Sequence, residues 1–273
     1  MKVRPAYVAD RFYPGDPDEL RTMVDGYIED AVVENDANTI SCMVVPHAGY
    51  IFSGATAGYG YKRIQNARPS RVVLMGVSHS YRFEGISLYD GAAFDTPLGK
   101  LMLDLAFSER LADIFPIEGA RPHDHEHTLE TQLPFLLRAL GAVPIVPILF
   151  GVTAGSQHVE FGQRLAELLS PGDIVIASTD LSHFLDEETA NKIDGKSIET
   201  ILAGDEDALI QNLRDETCSM CGAAAVVAAL SCANARNASK RKLLDYRTSA
   251  PVSGDYDRVV GYAAISMEYD QSA

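Results

Sequence analysis

Four histidines mark where this chain could do chemistry: His47, His79, His127 and His183. Three of them close apolar runs, SCMVVPH at 41–47, RVVLMGVSH at 71–79 and DIVIASTDLSH at 173–183. The fourth precedes an amphipathic stretch. In open α/β sheets, ligands bind outside the carboxyl ends of the strands. Segments far apart in sequence are therefore expected to deliver imidazoles to one edge of one sheet. Neutral imidazole is the commonest metal ligand and a general base near neutral pH, so the pattern predicts a metal or proton-transfer centre.

The flanking residues sharpen this expectation. Around His47, in VVPHAGYIFSGATAGYGY, Pro46 disfavours helix at Val45. Gly49 and Gly54 allow a tight turn or a close approach to a ligand, with a helix expected from about Gly54. His79 lies in the small and polar stretch Gly76 to Ser80, straight after an expected buried strand, where a site loop would be. The stretch RPHDHEHTLETQLPFLLRAL carries His123, His125 and His127, and a His-rich tract is a metal-binding cue. His123 and His125 read more simply as solvated loop residues. Glu126 and Glu130 lie four apart and would share a helix face, with His127 beside the opening turn. Glu126 could equally be a first-turn acid favoured by the helix dipole.

In ASTDLSHF, Asp180 either orients His183 and raises its basicity, supplies a separate ligand, or caps a helix. Cys221, in DETCSMCGAAAVVAAL, sits at the expected start of a small-residue helix, where the thiolate form is favoured. Cys218 and Cys221 form a lone CxxC without a thioredoxin-like setting, and no second CxxC completes a structural zinc site. One functional thiol, Cys221, is the better reading. Two histidines and one anionic ligand with open positions suit non-haem Fe(II). Two histidines and a cysteine could also hold Cu or Zn.

The elements that must position these residues alternate along the chain. Strands are predicted at 41–46, 71–77, 85–90, 143–149, 173–178 and 258–267. Helices are predicted at 17–33, 54–65, 99–113, 127–140, 156–170, 187–203, 205–214 and 221–233. Such alternation reads as βαβ units around a mainly parallel or mixed sheet flanked by helices, an α/β fold in a single domain spanning 1–273. VVLMGV, VPIVPILF and DIVIAS are nearly continuous apolar runs, as expected of strands buried on both faces. Residues 1–16 are expected to wrap the surface, and the polar end 268–273 to fray.

Composition excludes several classes. A formal charge of −15 over 273 residues argues against nucleic acid, which needs a basic face. No run of about 18 apolar residues suggests a membrane span, and the first residues lack the apolar core of a signal peptide. A cytoplasmic location is the default. The four cysteines are then expected as thiols, with Cys42 and Cys232 packed as small apolar residues. There is no GxxxxGK[ST], HExxH, GxSxG or strand-linked GxGxxG motif.

Taken together, PHAGYIFSG, GVSHS, EHTLETQLPFL, STDLSHF, the Cys-Gly pair at 221–222 and SGDYDRVVGYAA resemble the Memo family, known in prokaryotes as protein B of the AmmeMemoRadiSam system. The likeness runs from about residue 4 to 268. It implies a fold similar to the LigB-like class III extradiol dioxygenases, with a repurposed metal pocket. The family's metal-site residues match His47, His79 and Cys221, and its further pocket residues match Asp180 and His183. Those dioxygenases use two histidines and a glutamate for Fe(II). Cys221 in the carboxylate's place argues against ring cleavage. The resemblance implies iron or copper binding and redox chemistry; read with the residue pattern, the expectation is a centre in which His183 is a fourth contact or a general base, Asp180 orients it, Glu126 and His127 line the pocket, and a small-molecule substrate or O2 occupies the open positions if the centre is catalytic. The resemblance also implies a protein partner within the AmmeMemoRadiSam system. Its alternatives are a peptide- or protein-binding module using the same pocket, and an active dioxygenase in which Glu126 or Glu130 reaches the metal.

Overall fold

Strand β2 (Ile40–Val45) is buried along its whole length, because each of its faces meets a different core. Cys42 and Val44 point into one apolar cluster, and Ile40, Met43 and Val45 into the other. The computed structural model describes residues 2–34 and 39–270. Before β2 come a two-residue strand β1 (Val3–Arg4) and helix α1 (Pro17–Asp30), capped by the Asp16 carboxylate.

After β2 the chain runs through α2 (Tyr50–Ile64), β3 (Val72–Val77), β4 (Ile86–Leu88), β5 (Ala93–Thr96), β6 (Gly99–Met102), α3 (Leu105–Ala112) and β7 (Ile117–Glu118). Then follow α4 (Leu133–Leu140), β8 (Ile145–Phe150), α5 (Ser156–Leu168), β9 (Ile174–Ser178), β10 (His183–Leu185), α6 (Glu187–Ala203) and α7 (Glu206–Arg214). The chain closes with α8 (Ala223–Ala235), β11 (Lys240–Thr248), α9 (Ala250–Ser253) and β12 (Val259–Glu268).

The main sheet has nine strands, in the order β10-β12-β2-β9-β3-β8-β4-β7, with β11 also pairing β12. Its centre, β2-β9-β3-β8, is parallel, while β12 and β4 run antiparallel to their inner neighbours. Helices α1, α2 and α4 cover one face, and α5 to α8 the other. Four parallel strands thus end on one edge, and the segments after them carry His47, His79, Gly151–Thr153 and Asp180. The mixed α/β sheet flanked by helices is the predicted class.

Several predicted boundaries are corrected. Residues 99–102 are strand, paired with β5, and α3 begins only after the Asp104 cap. Helix α2 begins at Tyr50, so Gly54 lies inside it and makes no turn. A Cβ at Gly54 would meet the Tyr27 ring at 2.4 Å, and one at Gly58 the Tyr27 carbonyl at 2.3 Å; both glycines let α1 and α2 approach closely. The predicted helix 127–140 is a 3₁₀ turn at Glu130–Gln132 followed by α4.

The first sixteen residues do more than wrap the surface, since Arg4, Val8 and Tyr13 are buried. Glu268, expected to fray, is fully buried in β12 and bound by Arg63; residues 271–273 lie outside the described residues. The hairpin β5–β6 and the polar strand β11 were not predicted; β11 carries charges at the sheet periphery and lacks an apolar run.

Candidate metal centre

The centre is assembled where β2, β3 and β9 end. Pro46 turns the chain out of β2, and the Asp180 carboxylate accepts the backbone N–H groups of His47 (2.8 Å) and Ala48 (3.3 Å). The His47 ring is only 2% exposed. Its Nδ1 lies 3.0 Å from Ser178 Oγ. That hydroxyl spends its one proton on the Thr128 carbonyl at 2.6 Å and accepts from Gln132 Nε2. Nδ1 must therefore donate to Ser178, which leaves the Nε2 lone pair facing the site. Nε2 stands 3.2 Å from Cys221 Sγ.

Cys221 lies two residues before α8, and Gly222 forms the helix cap. Its own N–H bonds to the Asp180 carbonyl, and its sulfur accepts the Asp180 N–H at 3.3 Å. Gly222 is pinned through its N–H to Thr179 Oγ1 at 2.8 Å. A Cβ at Gly222 would sit 2.4 Å from the Ser178 carbonyl. Only glycine lets the loop lie this close to the end of β9.

His79 is anchored by Glu126, whose carboxylate accepts the His79 N–H at 2.6 Å and faces its Nδ1 at 3.1 Å. The same carboxylate accepts the N–H groups of His127 (2.8 Å) and Thr128 (3.1 Å), and lies 3.1 Å from His127 Nδ1. The rings of His79 and His127 stack at 4.7 Å, and His47 meets both edge-on. The Glu126 carboxyl is held well below its usual range. Burial pushes it up, but hydrogen bonds from His127 and His79 outweigh that. The His79 imidazolium is raised to about 9 by hydrogen bonding to Cys221 and then to Glu126, whereas burial lowers His127. One carboxylate facing two imidazoles thus keeps one proton, on the more exposed ring.

One ring nitrogen each from His47 and His79, and the Cys221 sulfur, lie within 4.8 Å of one another; His79, Glu126 and His127 form a second such group. The donor set fits a borderline or soft transition ion: two imidazoles, both tied through Nδ1, and one thiol. Two cavities meet at Cys221, one of about 600 Å³ on the His79 side and one of about 760 Å³ reaching His183.

Other expectations move. Asp180 does not orient His183; it orders the His47 loop, and His183 Nδ1 faces the Leu181 carbonyl at 2.9 Å. The Ser182 N–H is held instead by buried Asp194, a residue with no motif to announce it. Glu130 faces away from the centre. It binds Arg4 and accepts from the Tyr7 and Val8 N–H groups and the Tyr13 hydroxyl. His123 is buried rather than solvated, against the Ser87 carbonyl; His125 is exposed and stacks on Tyr7. Cys42 and Cys232 are buried thiols, as predicted, and Cys218 is also free and buried. Ser178, Thr179 and Gln132, which set the His47 tautomer and the cysteine loop, were missed, although all three lie within the motifs STDLSH and ETQLP.

Residues 4–266 match the Memo-like protein family. A MEMO1 family protein of Methanopyrus kandleri is 37% identical over 97% of this chain and 98% of its own length. That of Methanocaldococcus jannaschii is 35% identical over 98% and 99%, and that of Aquifex aeolicus 35% over 96% and 98%. Among solved structures, an uncharacterized protein from Escherichia coli K12 shares the fold at a TM-score of 0.54 with 14% identity, over 84% of this chain and 99% of that one. By sequence over nearly its whole length, the chain belongs to the Memo-like protein family.

Proposed function

We propose that this protein is a redox metalloprotein whose ion is held by His47, His79 and Cys221, with Fe(II) the first choice and copper the second. The observation that carries the reading is the convergence of two tethered imidazoles and one thiol at the meeting point of two cavities. A thiolate ligand favours soft and redox-active ions over Mg or Ca. When bound, such an ion would supply Lewis acidity and electron transfer to O2 or to a small oxidisable substrate. The residues have separate tasks. Ser178 and Glu126 hold the imidazoles in one tautomer, and Asp180 fixes the His47 backbone. His183, facing the larger cavity, is placed to move a proton on a bound substrate. His127 lines the His79 side.

An extradiol-type activity is disfavoured, because it needs a carboxylate as third ligand. Glu130 is committed to Arg4 and the N-terminal segment, and Glu126, which groups with His79 and His127, already accepts hydrogen bonds from His79, His127 and Thr128. We extend the reading to a protein partner within the AmmeMemoRadiSam system, on the resemblance alone.

The test is metal content in anaerobically purified protein, beside His47→Ala and Cys221→Ala. About one iron or copper per chain, lost in both variants, supports the centre and justifies an oxygen-consumption screen. A chain that is isolated metal-free and takes up neither Fe(II) nor Cu(I) would leave a peptide- or protein-binding pocket as the better account.

A further inference from the structure

A third cavity, of about 290 Å³, lies outside the metal centre between β4, the loop after α3 and the start of α5. Its deep residues are apolar, with Ile86, Phe150 and Phe161 each buried. One polar side chain is buried with them. His158, 2% exposed, lines the cavity from the first turn of α5. Its Nδ1 accepts the Gly155 N–H at 3.1 Å, so the ring proton resides on Nε2. Nε2 has no hydrogen-bonding partner among the described residues, and its nearest aromatic neighbour, Phe150, meets the ring edge-on at 5.0 Å. Burial lowers the imidazole to about 4, so it stays a neutral donor at physiological pH. The rim carries the exposed carboxylates Glu84 and Glu160, and no Lys or Arg is among the lining residues.

We infer that this cavity is a binding site for a small, uncharged aromatic molecule bearing one hydrogen-bond acceptor, which His158 Nε2–H would engage at the apolar floor. The size fits, since a dry cavity of about 150 Å³ already takes benzene; twice that volume accommodates a ring with a short substituent. The apolar walls select the ring, the buried donor selects the acceptor, and the two rim carboxylates reject anions. A net hydrogen bond of this kind corresponds to roughly fivefold in affinity. The inference is independent of the metal reading. The wall is shared, however: Val152 lines this cavity and both cavities at Cys221, and Gln157 lines this one and the larger of them.

The experiment titrates the full, metal-free chain with 4-fluoroacetophenone by ¹⁹F NMR. The controls are 1-ethyl-4-fluorobenzene, which lacks the acceptor, and the anion 4-fluorobenzoate. Ile114→Trp fills the cavity mouth while leaving His158 and its helix-capping bond in place, and Cys221→Ala removes the thiol at the neighbouring cavities. The expected result is saturable binding of the ketone, about fivefold tighter than the hydrocarbon and tighter than the benzoate. It should be lost in Ile114→Trp at unchanged melting temperature and kept in Cys221→Ala. Absence of saturable binding, binding that survives Ile114→Trp, or equal affinity for ketone and hydrocarbon would each overturn the inference.

Discussion

His47 Nε2 and Cys221 Sγ stand 3.2 Å apart although 174 positions separate them in the chain. Asp180 joins them. Its carboxylate holds the His47 backbone, its N–H points at the sulfur, and its carbonyl accepts the Cys221 N–H. A single residue at the end of β9 thus sets the distance between an imidazole from β2 and a thiol from the approach to α8.

If the thiol is a ligand, Cys221→Ser should shift metal preference as well as affinity. An alcohol is a harder and weaker ligand than a thiolate, so Cu(I) binding should fall much further than Fe(II) binding. Competitive titration of both ions in the two proteins measures this. Equal losses for the two ions would mean that the sulfur is a neighbour and not a ligand.

Glu126→Gln keeps the shape but removes the charge that fixes His79 and His127. Loss of such an orienting carboxylate costs about 10–100-fold in metal affinity. Because the metal-free His79 imidazolium persists up to about 9, metal binding at neutral pH must displace its proton. Affinity in the native chain should therefore climb with pH and flatten near that value. The variant's weaker hold on the proton should flatten the climb at lower pH. Overlapping pH profiles for the two proteins would count against the assignment.

Gly222→Ala pushes a methyl to within 2.4 Å of the Ser178 carbonyl. Overpacking of this kind costs about 1–3 kcal/mol. Relief would draw Cys221 away from His47, so metal stoichiometry should drop more than thermal stability does. A variant that keeps a full complement of metal would show the loop to be tolerant.

The Arg4–Glu130 pair, 2% and 0% exposed, pins the N-terminal segment beneath the centre. Breaking a buried pair by removing one partner costs about 3–5 kcal/mol, so Glu130→Ala should lower the denaturation midpoint accordingly. Arg4→Met in the same chain should restore little, because the Tyr7 and Val8 N–H groups still lack their acceptor. Urea titration of the single and double variants decides; full rescue would reduce the network to its ion pair.

Stability should fall in mild acid. Burial depresses the His123 imidazole from 6.5 to about 4. Between those values the unfolded chain binds a proton that the native chain refuses, so stability is fully present above about pH 6.5 and declines toward pH 4. The full shift corresponds to about 3 kcal/mol. Chemical denaturation of the native chain and His123→Gln at pH 7 and pH 5 gives the comparison, and parallel losses would exclude His123 as the cause.

The ends of the four central strands, and so the common edge for His47, His79 and Asp180, could be read from local pattern. Short apolar runs rich in β-branched residues, bounded by Pro46 and by polar residues, favour buried parallel strands over buried helix. Cys221 and Glu126 were also visible, as motif residues. Sequence could not decide which partner each side chain takes, because hydrogen-bond pairing depends on distances across the sheet and not along the chain. Asp180 lies three residues from His183 yet spends its carboxylate on His47, since β9 sits beside β2. Glu130, within one turn of Glu126, is drawn the other way by Arg4, which only the folded N-terminus brings near. The short β5–β6 hairpin and polar β11 escaped for the same reason: their strand form is conferred by pairing with neighbouring strands, while β6 and β11 carry almost no apolar period of their own. Residue types along the chain determined what chemistry is available; packing between strands and helices decided which groups meet to perform it.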